Sequence, residues 1–65
     1  MTYIDRMKGE RIALDEKLHK LKDFLDSPAV EKLEKEEYAD LRYQCFLMTQ
    51  YVEVLNRRIE RSEKL

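Results

Sequence analysis

Apolar residues recur at alternating three- and four-residue steps twice in this chain, on either side of a single Asp26-Ser27-Pro28 break. The first ladder is Ile4, Met7, Leu14, Leu18, Leu21 and Leu25, interrupted only by Arg11. The second is Tyr38, Leu41, Cys45, Met48, Val52, Leu55 and Ile59. Such spacing keeps one side of an α-helix apolar along its whole length. It predicts an all-α fold, an antiparallel hairpin of two long helices. Nothing remains over for a catalytic loop or a second domain, so function must be carried by side chains on helix surfaces.

The boundaries follow from local signals. A first helix is expected over 2–25, started by Thr2, with Asp5 favouring its positive end. Gly9 lies inside the pattern, where it costs about 1 kcal/mol relative to Ala. The ladder passes through it without a phase slip, which predicts a kink rather than a break. A residue before proline is pushed out of helical geometry, and Pro suits a first helical position. The hinge is therefore set at 26–28, with Ser27 as the N-cap of a short helix over 28–33. The polar run Glu34-Lys35-Glu36-Glu37 reads either as a second joint or as the acidic first turn of a long helix over 36–62.

That last helix is more apolar than a hairpin requires. Leu47, Tyr51 and Val54 form a further stripe that continues to Arg58, widened by Tyr43 and Phe46. Contiguous apolar patches left in water ordinarily mark an interface. One stripe is thus expected inside the chain and the other between copies in a homo-oligomeric helical bundle. Size points the same way, because at 65 residues apolar burial and ordering entropy nearly cancel. Cys45 is the only cysteine and His19 the only histidine, so neither an internal disulfide nor a zinc site can supply the difference.

Composition narrows the function classes. Charged residues make up 42% of the chain, yet the net charge is −1. A DNA binder carries a clear basic excess, so DNA is not expected as a partner. A small anion held by a few placed cations is not excluded. No apolar run approaches the ~18 residues of a membrane span, and Met1–Arg11 has no hydrophobic signal core. A reduced, cytoplasmic setting is the expectation. No metal-ligand, nucleophile or acid–base constellation is present, so neither an enzyme nor a cofactor is expected. Most carboxylates have a basic partner at pairing distance, such as Glu16 with Lys20 and Glu31 with Lys35, as on a solvated helix surface. Cys45, on the inward ladder, reads as a buried and inert thiol.

The cations have two readings. Lys17 and Lys20 lie on the first helix with His19 between them, while Arg57, Arg58 and Arg61 crowd the end of the last. Cations near a helix C-terminus are ordinarily dipole complements. Arg58, however, falls in line with Leu47, Tyr51 and Val54. There it would either sit idle against an apolar seam or converge with its neighbours on an anion between copies, where guanidinium groups suit phosphates. Tyr3 is open in the same way. An aromatic at a helix start is usually packing, but beside Arg6 and near another copy it can stack on a nucleobase.

The strings KLHKLKDFLDSP (residues 17–28) and LMTQYVEVLNRRI (residues 47–59) carry a family resemblance. The chain resembles the small phage helical-hairpin proteins that act as anti-CBASS sponges, sequestering cyclic oligonucleotide immune signals. The resemblance runs from Tyr3 to Ile59. It implies a homohexamer of hairpins, working in the cytoplasm of an infected bacterium. Pockets between protomers would hold cyclic dinucleotides and, separately, cyclic trinucleotides, and cleave neither. It further implies that Tyr3 stacks on a base of a cyclic dinucleotide, that Lys17 meets its phosphate, and that Arg58 contacts phosphates of a cyclic trinucleotide. His19 stands where such proteins often carry a small hydroxyl residue. The expected ligand-binding set is Tyr3, Lys17, His19, Lys20, Arg57 and Arg58. The ladders fit equally well a homodimeric four-helix adaptor that docks a protein partner.

Overall fold

The computed structural model describes residues 2–64; Met1 and Leu65, the ends of the single expected domain, lie outside them. Helix α1 spans Tyr3–Leu25, a 3-10 helix spans Pro28–Lys32, and helix α2 spans Lys35–Glu63. The two long helices pack against each other as a hairpin. At 1.5 Å per residue, the 29 residues of α2 span about 44 Å. The molecule measures 48 × 16 × 14 Å, so α2 sets its length and the cross-section is two helices side by side.

Local chemistry explains each boundary. Thr2 has extended backbone (φ −87, ψ 163), and its hydroxyl accepts from the Asp5 amide at 3.1 Å, satisfying one of the orphan donors at the start of α1. The helix continues unbroken through Gly9, which has no positive φ. At its far end the Asp26 amide donates to the Lys22 carbonyl at 3.0 Å.

Ser27 occupies the N-cap position of the 3-10 helix but makes no side-chain cap bond there. Its hydroxyl turns back and donates to the Phe24 carbonyl at 2.7 Å, closing α1 rather than opening the next segment. Pro28 then locks the first position of the 3-10 helix. Leu33 and Glu34 are both extended and form the second joint of the corner. Glu36 and Glu37 follow in the first turn of α2, so the polar run contributes both to the joint and to the acidic start.

All residues of the two ladders, Arg11 included, are buried or half-buried. The buried ones are Met7, Leu18, Leu55 and Ile59, of which Leu55, at 0% exposure, is fully enclosed. Met7 belongs to the start of α1, while Leu55 and Ile59 belong to the end of α2. Burial is therefore densest at the open end, away from the corner. The second stripe stays outside. Tyr43, Leu47, Tyr51 and Val54 are exposed at 62%, 47%, 43% and 38%. The Tyr43 and Phe46 rings stack in water, with centroids 6.4 Å apart and planes 19° apart.

Candidate functional site

Seven-residue spacing places residues on the same side of a helix. On α1 it aligns Tyr3, Glu10 and Lys17; on α2 it aligns Tyr51 and Arg58. The antiparallel packing turns these rows towards each other along one edge of the hairpin, where they meet in two rungs. In the outer rung, Arg58 Nη2 donates to Tyr3 Oη at 2.6 Å, with the guanidinium carbon 5.9 Å from the centre of the Tyr3 ring. In the inner rung, the Tyr51 hydroxyl donates to Glu10 Oε1.

The electrostatics of this edge are unusual for a surface arginine. Its nearest hydrogen-bonded partner is a phenol, and among the described residues it forms no ion pair with a carboxylate. The Arg58 pKa is raised, first by the hydrogen bond to Tyr3 and the attraction of that phenol; burial opposes this, and Tyr51 and Glu10 add smaller upward effects. Arg58 therefore stays cationic without being neutralised by direct contact. Tyr51 is pushed above the ordinary phenol value of 10.0, chiefly because its hydroxyl is bound to Glu10, with burial and the Glu10 charge adding to this and Arg58 opposing it. Here a cation and a carboxylate share one edge of the hairpin, which also carries the exposed Leu47, Tyr51 and Val54.

The other edge carries different chemistry. Lys8 Nζ donates to Glu63 Oε2 at 2.8 Å, and Arg11 Nη1 donates to Asn56 Oδ1 at 3.2 Å. The Arg11 that interrupts the first ladder thus finds a polar partner across the seam. Beside it opens a groove of about 560 Å³ lined by Arg11, Ile12, Asp15, Glu16, His19, Lys20, Val52 and Asn56. Two acids offset its cations. A second groove near the corner, of about 470 Å³, is lined by Lys22, Leu25, Asp26, Tyr38, Arg42, Cys45 and Phe46.

The six candidate residues are thereby divided. Tyr3 and Arg58, assigned by the family resemblance to different pockets, touch each other within one chain. Lys17 lies in the same row of α1, about 21 Å along the axis from Tyr3. His19 and Lys20 line the groove on the other edge. Arg57 is exposed and, like Lys17, forms no ion pair among the described residues. Glu10 was not singled out by its sequence context, and Tyr51 was read only as part of the apolar stripe. The signal for both was the seven-residue register linking Glu10 to Tyr3 and Tyr51 to Arg58.

Among the described residues no group of His, Cys, Asp and Glu side chains is placed to hold a metal ion, and no helix is long and apolar enough to cross a membrane. No curated protein and no solved structure matches the chain. A family model does match, over residues 1–61. With nearly the whole hairpin covered, including both rungs and the exposed stripe, the chain belongs to the Sequestin family, whose name is consistent with a sequestering function.

Proposed function

We propose that this protein is a non-catalytic sponge that binds cyclic dinucleotide and trinucleotide immune signals during phage infection and withholds them from their host effectors. The observation that carries this reading is Arg58. It is a cation hydrogen-bonded to an aromatic hydroxyl instead of a carboxylate, beside an apolar stripe left in water. An arginine in that state retains donors for phosphate, and Tyr3 beside it offers a ring face to a base.

The exposed stripe supports assembly of several hairpins, with six as the number the family resemblance implies. The seams between copies would bring additional cations to the same anion. Sequestration requires no bond-making. A binder in excess lowers free ligand by mass action, and each tenfold in affinity corresponds to about 1.4 kcal/mol. Charge-assisted contacts contribute about 1.5–3 kcal/mol each, so a few of them with one stacked base reach nanomolar binding.

Calorimetric titration of the full chain with cyclic dinucleotides and cyclic trinucleotides tests the reading. Saturable heat with recovery of the intact ligand afterwards is expected. No heat with either class at micromolar protein overturns it. A stable dimer under the same conditions, silent towards both ligands, favours the adaptor reading.

A further inference from the structure

The groove at the corner is built by helical spacing from both long helices. Lys22, Leu25 and Asp26 recur at three- and four-residue steps on α1, as do Tyr38, Arg42, Cys45 and Phe46 on α2. Each set therefore shares one side of its helix. Together they line a groove of about 470 Å³, within the roughly 300–1,000 Å³ of small-molecule sites. Leu25, Tyr38 and Cys45 are half-buried and form its floor, while Lys22, Asp26, Arg42 and Phe46 are exposed at its rim. The two rim cations have no acidic partner. Arg42 Nη1 donates to Tyr38 Oη at 3.4 Å, with the guanidinium carbon 5.8 Å from the ring centre. Neither Arg42 nor Lys22 forms an ion pair among the described residues. A phenol leaves the guanidinium charge unneutralised and most of its donors free. Arg42 lies about 24 Å along α2 from Arg58, so this groove is separate from the Tyr3–Arg58 edge.

We propose that the corner groove is a second ligand site, taking a small aromatic phosphate monoester the size of a mononucleotide. The assignment is independent of the cyclic-nucleotide reading above. The phosphate meets the rim cations Lys22 and Arg42, the guanidinium through paired donors. The ring lies against Leu25, Tyr38 and Phe46, which removes apolar surface from water. Stacking surfaces accept any flat base, so the groove reads a ring joined to a phosphate and not the identity of the base. Asp26 opposes the anion, but one carboxylate against two cations leaves the rim positive.

Titration of the isotope-labelled full chain with adenosine monophosphate, followed by amide NMR, tests the site. Saturable shifts clustered on residues 22–26 and 38–46 are expected. Adenosine lacks the charge and inorganic phosphate lacks the ring, so each is expected to bind at least about tenfold more weakly. Arg42→Gln is expected to weaken adenosine monophosphate by about tenfold while helical circular dichroism is kept, because the residue is exposed. Lys22→Gln, on the other helix, is expected to act in the same direction, and Asp26→Asn to tighten binding about two- to fivefold. Four results each overturn the corner site and leave the sponge reading in place. They are absence of a saturable shift, shifts clustered on Tyr3 and Arg58 instead, adenosine monophosphate held no tighter than inorganic phosphate, and binding that Arg42→Gln leaves intact.

Discussion

Single side chains determine the character of the candidate edge. Arg58 and Tyr3 are 55 positions apart in the chain and hydrogen-bonded in space, so their roles cannot be separated by mutation. Arg58→Ala is expected to weaken cyclic trinucleotide binding by about tenfold or more. It also weakens dinucleotide binding, because Tyr3 loses its anchor. Lys17→Ala is expected to affect the dinucleotide alone, and titrations of the two variants with both ligands check the contrast. Tyr51 provides a pH signature. Its pKa is raised above 10.0 by Glu10, so the stabilisation from that contact is fully present below pH 10 and is lost as pH rises through the raised value. Ultraviolet titration of tyrosinate is expected to show one late-ionising phenol, which Glu10→Gln returns towards the ordinary value. Of this edge, Tyr3 and Arg58 were legible in the sequence because an aromatic and a guanidinium are conspicuous beside an apolar stripe. Glu10 was not, because one carboxylate among 14 acidic residues has no distinguishing mark until the two helices are set in register.

Individual helices follow simpler rules, and the sequence reads them well. Ladder periodicity identified all four buried core residues and placed Arg11 on the same face, where its partner Asn56 lies on the other helix. Side-chain choice at the corner was less legible. The Ser27 hydroxyl binds the Phe24 carbonyl and so caps the end of α1 instead of the start of the 3-10 helix. Gly9 is a weakness within α1. A methyl group there would meet nothing within 4 Å, and the backbone is helical, so Gly9→Ala is expected to raise stability by about 1 kcal/mol, read as a higher denaturation midpoint. At Leu55, with 0% exposure, truncation to Ala is expected to cost about 2–5 kcal/mol. That is comparable to the whole stability of a small domain, and loss of helical circular dichroism near room temperature checks it.

For the molecule as a whole, the governing quantity is apolar surface that one hairpin cannot hide. Tyr43, Leu47, Tyr51 and Val54 remain in water on one side of α2. Sedimentation is expected to give a mass several times the 7.9 kDa of the chain. Leu47→Glu is expected to reduce it towards that single-chain value by placing a charge in the seam. Bound ligand strengthens the assembly in return. At one hundred times its dissociation constant, a ligand adds about 2.7 kcal/mol to the folded state, visible as a rise in melting temperature.

The concentration of Met7, Leu55 and Ile59 at the open end has a practical consequence for anyone rebuilding the protein. Tyr3 and Arg58 stand beside this buried cluster, whereas the bend that joins the helices has no buried residue in its 3-10 helix. Each doubling of a flexible connector costs only about 0.6 kcal/mol. A fluorescent reporter or a longer tether spliced between Leu33 and Glu34 therefore leaves the gripping end assembled, which makes the bend the natural port for turning this hairpin into a biosensor.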